Sequence, residues 1–138
     1  MSEIISTILN DGTSPDTNRQ ILKKETVDEM FTNQIPQFPD FGRQPSTSAK
    51  PHLSNSTGDL YPNNNEPQGH GLSFMITGGA TGRSQGTAWW AGLANLFWWA
   101  DRERGVGGIV ATQILPLGDL DAFMLWAQLE ATVYAALT

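Results

Sequence analysis

The run of residues 87–100, TAWWAGLANLFWWA, constrains the fold more than any other feature of the sequence. It contains four of the five tryptophans and no charged side chain. A strand that carries apolar side chains on both faces has to be covered on both faces. The run therefore predicts a strand buried on both sides, interrupted near Gly92, with its indoles filling a core between a sheet and helices.

The segments after and before this run predict the rest of the sheet. Residues 72–77 alternate apolar and polar side chains, as a half-buried strand does, and residues 106–115 form a second buried strand that ends at Pro116. The expected fold class is α+β, an antiparallel sheet of about three strands with a C-terminal helix packed on one face. That helix is predicted near 119–137, and its broad apolar face consists of Leu120, Phe123, Met124, Ala127, Ala131 and Tyr134.

The composition divides the chain into three regions. Residues 36–68 contain six of the eight prolines and few aliphatic side chains, which predicts a long loop or a disordered linker. Residues 69–138 carry the sheet and the C-terminal helix. Residues 1–35 predict a helical segment of two short helices, with the apolar stripes Ile4, Ile5, Ile8 and Leu9 in the first and Val27, Met30 and Phe31 in the second.

Charge and residue usage argue against several classes of function. The 8 Lys and Arg against 14 Asp and Glu give a net charge of −6, and nucleic-acid binding needs a basic patch instead. No apolar run reaches the roughly 18 residues of a membrane span. The N-terminus lacks a basic region with a long apolar core, so a cytoplasmic protein is expected. With no cysteine, and with His52 and His70 as the only histidines, we predict no metal site and no cofactor.

Three polar motifs favour structural roles over catalysis. The glycine-rich stretch 78–86 has Arg83 in place of the lysine of a phosphate-binding loop and is predicted to be a plain connection. Asp101 and Glu103 lie beside two arginines in a short connection, which indicates a solvated hairpin tip with internal ion pairs rather than a catalytic carboxylate pair. A lone histidine such as His70 is usually structural or exposed.

Trp90 leaves two alternatives open. Adjacent tryptophans place one indole on each face of a strand, so the indole of Trp90 can fill the core. Because Ala91 and Gly92 follow it, Trp90 can instead form the wall of a ligand pocket, with the glycine giving a ligand access to the backbone. The residue types alone do not decide between core and pocket.

Residues 86–119, GTAWWAGLANLFWWADRERGVGGIVATQILPLGD, resemble the C-terminal part of the serine β-lactamase-like superfamily, in particular fungal esterases and transesterases of the class C type. In that family a strand carries a Lys-Thr-Gly triplet or its Trp-x-Gly or His-x-Gly equivalent. A hairpin, another strand and a long C-terminal helix follow. Trp90-Ala91-Gly92 matches the triplet, and the segments ISTILNDG and ILKKETVDEMFTNQI are similar to the part that precedes it. The resemblance implies an incomplete β-lactamase/transpeptidase-like fold.

The sequence departs from the family at the nucleophile. The family's catalysis starts from a Ser-x-x-Lys motif, because a serine hydroxyl is a poor nucleophile unless a nearby base takes its proton, and a tyrosine assists the proton transfer. The only lysines are Lys23, Lys24 and Lys50, and none has a serine three positions before it. In the family that tyrosine stands in a Tyr-x-Asn context, and neither Tyr61 in the polar segment nor Tyr134 on the last helix is expected to replace it. We therefore assign no catalytic residue.

The resemblance implies two hypotheses from different classes of function. The first is the C-terminal part of a serine esterase or acyltransferase acting on a small acyl ester or thioester, plausibly in fungal secondary metabolism. There Trp90, Ala91 and Gly92 would line the acyl pocket, and the Leu93 N–H would donate to the oxyanion. The second is a non-catalytic remnant or a binding or scaffolding fragment. The missing nucleophile favours no activity for the chain alone, and an uncovered sheet edge favours a complementing chain or a homo-oligomer as partner.

Overall fold

The computed structural model describes residues 1–44, 47–55 and 65–137. Two helices come first, α1 at Ser2–Leu9 and α2 at Lys24–Met30, and a 3-10 turn lies at Phe41–Arg43. In the predicted loop, residues 45–46 and 56–64 lie outside the described residues. The part of the chain after that loop forms five strands and a last helix: β1 Gly69–His70, β2 Met75–Ile76, β3 Ala88–Gly92, β4 Leu96–Asp101, β5 Val106–Ala111 and α3 Leu120–Ala135.

The strands form one antiparallel sheet in the order β1-β2-β3-β4-β5. The α+β class, the antiparallel sheet and the C-terminal helix are confirmed, but the described residues contain five strands rather than about three. The predicted strand 72–77 is reduced to Met75–Ile76. A turn occupies its first part, because the Gly71 N–H donates to the carbonyl of Phe74 at 2.9 Å and Ser73 has a φ of 85°.

The predicted strand 87–100 is a hairpin. Ala88–Gly92 and Leu96–Asp101 pair with each other, with Trp90 opposite Trp98 and Gly92 opposite Leu96. Between them Ala94 and Asn95 adopt left-handed conformations, with φ values of 68° and 52°. Asparagine is several-fold enriched in this region of backbone space. An interruption near Gly92 was expected within a single strand. In the structure the chain reverses direction there, so the segment forms two strands instead of one.

One face of the sheet is covered by α3. Its core brings together Trp89, Phe97 and Trp99 from the strands with Trp126 from the helix. The rings of Phe97 and Trp126 stack with their centroids 4.6 Å apart and an interplanar angle of 7°. Asp119 begins the helix, since its side chain accepts a hydrogen bond from the Ala122 N–H at 2.9 Å.

The buried face of α3 is rotated from the predicted one, although Tyr134 is buried as expected. Leu120 and Met124, expected in the core, are 69% and 46% exposed. The buried face consists of Ala122, Trp126, Glu130 and Tyr134, and Phe123, Ala127 and Ala131 are half-buried at its border. Because α3 is apolar on nearly all sides, the spacing of its apolar residues does not select a face.

The opposite face of the sheet is covered by α1. Ile5 packs in a second cluster with Phe74, Ile76, Ala88 and Ala100. The small residues of the strands make room for this helix, and a Cβ on Gly107 would lie 2.7 Å from the side chain of Ile5. Among the described residues, no helix has the length and hydropathy of a membrane span.

Candidate functional site

The Trp-Ala-Gly triplet lies at the end of β3. Trp90 is 43% exposed, whereas its neighbour Trp89 is buried against α3. Ala91 is half-buried and packs against the same core, so it anchors the triplet to the sheet. The strand ends at Gly92, where the hairpin turn begins. The structure therefore brings the three residues of the predicted pocket to an exposed end of a rigid strand, with the indole of Trp90 partly in solvent.

The ring of Trp90 contacts a histidine. The imidazole of His70, on β1, lies edge-on to it with the ring centroids 5.7 Å apart. The ring of Phe41 also contacts His70, with the ring centroids 5.8 Å apart. The Nδ1 atom of His70 is 2.7 Å from the carbonyl of Gly71. His70 is half-buried. The sequence did not predict its contact with Trp90, because β2 lies between their two strands in the sheet.

The backbone at Gly92 and Leu93 faces open space. A Cβ built on Gly92 would have no heavy atom within 4 Å. The Leu93 side chain is 54% exposed, and the Leu93 N–H makes no hydrogen bond to any described residue. A free N–H group at the end of a strand is a suitable donor for an oxyanion.

The turn that carries Leu93 is fixed by Asn95. This side chain is fully buried. Its Nδ2 atom donates to the carbonyls of Ile114 at 2.9 Å and Pro116 at 2.8 Å. Its Oδ1 atom accepts from the N–H groups of Gly118 at 2.9 Å and Asp119 at 3.2 Å. Sequence reasoning did not single out Asn95, although an asparagine after Gly-Leu-Ala is a turn signal.

The expectation that Asp101 lies in a solvated hairpin tip is wrong. Its carboxylate is fully buried and accepts hydrogen bonds from the N–H groups of Ser84 at 2.9 Å and Arg104 at 3.0 Å, and from the Tyr134 hydroxyl at 2.9 Å. Burial alone would raise the pKa of Asp101, but these hydrogen bonds outweigh it and lower the pKa below its usual value. Burial and the bond to Asp101 raise the pKa of the Tyr134 phenol. Glu103 is exposed, so the two carboxylates do not form a site.

The glycine-rich stretch 78–86 connects two strands, as expected, but it also carries a buried ion pair. The guanidinium of Arg83 donates from Nε and Nη2 to the Glu130 carboxylate of α3 at 2.6 and 2.5 Å. Both side chains are without solvent exposure. The Thr81 hydroxyl also donates to Glu130, at 2.5 Å. These contacts join the stretch to α3, and the Arg83 guanidinium bonds to the helix.

The described residues that were expected to lack a catalytic role make contacts of their own elsewhere. Lys24 forms a surface ion pair with Asp28 at 3.0 Å, and the Tyr134 hydroxyl is engaged with Asp101. Tyr61 lies outside the described residues. Residues 61–63 read Tyr-Pro-Asn, which has the Tyr-x-Asn form of the family's motif, and this match weakens the expectation for Tyr61.

Within the described ranges, no three His, Asp or Glu side chains come together as a metal site would require.

Comparisons with known proteins find similarity to one acyltransferase and to solved structures of a synthase. No family model matches the chain. The acyltransferase calJ of Penicillium decumbens is 28% identical over 124 residues, which are 84% of this chain and 29% of that protein. A mutant of simvastatin synthase (LovD) from Aspergillus terreus is 25% identical with a TM-score of 0.68, over 97% of this chain and 32% of that chain. Unliganded LovD, 24% identical over 96% of this chain and 33% of its own, has the same fold with a TM-score of 0.68.

This chain therefore spans about a third of the length of these relatives. The aromatic strand, the hairpin and the C-terminal helix that carry the Trp-x-Gly triplet are all within the part that matches LovD in three dimensions. Sequence and fold together show that the chain is related to the C-terminal portion of the β-lactamase-like esterases and acyltransferases.

Proposed function

We propose that this chain supplies the acyl-pocket wall and one oxyanion-hole donor of a serine esterase or acyltransferase that acts on small acyl esters or thioesters. The observation that carries the proposal is the exposed end of β3, where Trp90, Gly92 and the free N–H of Leu93 lie side by side. The likeness to calJ and LovD supports an acyl group as the ligand.

Each residue has a role that its environment fits. The half-exposed indole of Trp90 offers an apolar surface to an acyl chain. Gly92 leaves the backbone accessible, so an ester carbonyl can approach the Leu93 N–H. In acyl transfer the carbonyl oxygen becomes negatively charged in the tetrahedral intermediate, and one preorganised donor contributes about 10²–10³-fold to the rate.

The nucleophile and its base have to come from another polypeptide segment. No lysine in the sequence follows a serine at the spacing of a Ser-x-x-Lys motif. We therefore propose that the 138 residues have no esterase activity alone, and that they act with a complementing chain. The free outer edge of β5 supports such a partner, because within the described residues its backbone groups bond only to β4.

The test compares the chain alone with a chimera in which it replaces the matched third of LovD. We expect the chain alone to hydrolyse p-nitrophenyl esters no faster than a protein blank, and the chimera to hydrolyse them and to be labelled by a fluorophosphonate. A single labelled serine in the chain alone would refute the first expectation. A folded chimera without turnover would refute the assignment of the site.

Trp90 and Trp98 form a matched pair of variants within that chimera. Trp90→Ala should change substrate preference and turnover with little change in thermal midpoint. Trp98 is half-buried, with its ring against Phe74 at 5.9 Å, so Trp98→Ala should lower stability by less than the about 3–5 kcal/mol of a fully buried tryptophan. If Trp90→Ala unfolds the chimera while Trp98→Ala leaves its stability unchanged, the assignment of the pocket wall is wrong.

The second candidate function is a non-catalytic docking fragment. One observation favours it: the outward face of α3 is apolar, with Leu120, Met124, Leu125 and Leu129 between 44% and 69% exposed. A surface of this kind marks a contact with another protein. If the chain binds the remaining two thirds of LovD in a pull-down but the complex shows no turnover, the docking function is favoured over the catalytic one.

A further inference from the structure

The turn that presents the Leu93 N–H is held in a conformation that Ala94 does not favour. Ala94 and Asn95 both have positive φ, at 68° and 52°. Alanine rarely adopts this region, because its Cβ lies too close to the following carbonyl oxygen. A turn of this kind persists only where the surrounding structure fixes it.

The fixing contacts come from residues 112–119, the segment between β5 and α3. The Thr112 hydroxyl donates to the carbonyl of Ala94 at 2.6 Å and to that of Asn95 at 3.1 Å. The Asn95 carboxamide makes four hydrogen bonds to the same segment, two as donor and two as acceptor. A buried carboxamide with all these bonds satisfied has one orientation available to it.

The last of these bonds reaches the start of α3. Asp119, whose N–H donates to Asn95, also begins the helix through its side chain. The turn is thereby connected to the helix whose side chains pack against Trp89, Phe97 and Trp99 of the sheet. Another residue able to adopt a left-handed conformation, such as glycine, would fit the backbone at position 95 but would make none of these four bonds.

We propose that Asn95 is a positioning residue, which acts through the turn to hold the Leu93 N–H as an oxyanion donor. The inference rests on the proposed function, since it gives that N–H a role in acyl transfer. It adds that the donor is preorganised by a side chain that does not touch the substrate. Misplacement of a reacting or stabilising group by about 1 Å costs up to about 10²-fold in rate.

The first test measures the order of the turn in the 138-residue chain itself. The variant is Asn95→Gly, which keeps the left-handed backbone accessible and removes the side-chain bonds. The matched control is Asn55→Ala, which removes another asparagine bond to the same segment, from Nδ2 to the Gly118 carbonyl at 3.0 Å. By ¹⁵N relaxation we expect the Leu93 order parameter to fall from about 0.85 to below about 0.6 in Asn95→Gly only.

The second test measures turnover in the LovD chimera. Asn95→Gly should lower kcat by about 10- to 100-fold with KM changed less than about threefold, because the donor acts on the transition state rather than on the bound substrate. Asn55→Ala should leave both constants unchanged. If Asn95 had only a structural role, Asn95→Gly would lower the thermal midpoint and the fraction of active enzyme, but kcat per active site would not fall. The fraction of active enzyme is therefore measured by titration with the fluorophosphonate.

The outcomes separate the inference from the function on which it rests. An ordered Leu93 in Asn95→Gly overturns the role of Asn95 in fixing the turn. A disordered Leu93 with unchanged kcat overturns its role in positioning the donor. A folded but inactive chimera without any substitution overturns the proposed function, and the relaxation measurement still decides whether Asn95 fixes the turn.

Discussion

Glu130→Ala should destabilise the protein more than any surface substitution. The Glu130 carboxylate accepts three hydrogen bonds, two from Arg83 and one from Thr81, at 2.5 to 2.6 Å. Neither Glu130 nor Arg83 has any solvent exposure. Removing the carboxylate takes the Glu130 charge and two hydrogen bonds away from a buried guanidinium, and breaking a buried ion pair in this way costs about 3–5 kcal/mol.

Guanidinium chloride unfolding followed by tryptophan fluorescence measures this loss. The Arg83 guanidinium lies 5.8 Å from the ring centre of Trp89 and 5.6 Å from that of Trp126, so the emission reports on the site. For a chain of this size each kcal/mol lowers the thermal midpoint by about 3 °C, so a fall of about 10–15 °C is expected.

Two further variants make the experiment decisive. Glu103→Ala, in the exposed β4–β5 connection, should change stability by less than about 0.5 kcal/mol. The double variant Arg83→Met with Glu130→Leu should recover most of the loss, because two apolar side chains remove both buried charges. A loss below about 1 kcal/mol in Glu130→Ala would show that Arg83 reaches solvent or another partner at little cost, and that the ion pair does not stabilise the fold as expected.

The remaining predictions concern two glycines and the pH dependence of stability. Gly108→Ala would bring a Cβ to within 2.8 Å of the Trp99 ring, and urea unfolding should show a loss of about 1–3 kcal/mol. Gly92→Ala meets no atom within 4 Å, and an equal loss there would contradict the open space. Because the pKa of Asp101 is lowered on folding, its contribution is present above its usual pKa and is lost as pH falls, so Asp101→Asn should flatten the acid limb of a urea-midpoint profile below about pH 4. The pKa of Tyr134 is raised, so Tyr134→Phe should flatten the alkaline limb above about pH 10, and an unchanged limb would count against that shift.

The sequence was sufficient for those features that depend on local pattern. The apolar run at 87–100 predicted cover on both faces. Helices α3 and α1 do lie on the two sides of the sheet, but Trp90 and Leu93 at the hairpin end of the run are 43% and 54% exposed. The Trp-x-Gly triplet and the absence of a Ser-x-x-Lys motif are properties of the sequence alone. Side-chain alternation also predicted that Trp89 and Trp90 face opposite sides of the strand. It did not decide whether Trp90 fills the core or lines a pocket, and the structure leaves Trp90 43% exposed.

The tertiary structure decided those features that depend on partners far along the chain. The apolar surface of α3 allowed several faces, and the face that carries Trp126 and Glu130 is buried because Phe97 and Arg83 lie opposite it. The hairpin turn at 93–95 is held by hydrogen bonds from segment 112–119. The Asp101 carboxylate is buried with the Tyr134 hydroxyl of α3 as one of its hydrogen-bond donors. Hydrophobic periodicity and secondary-structure propensity depend on a few neighbouring residues. A buried polar group, in contrast, is stable only if a hydrogen-bond partner from another part of the fold lies beside it. For this reason the local pattern indicated which strands exist, and the long-range hydrogen bonds determined where the chain turns and which charges it buries.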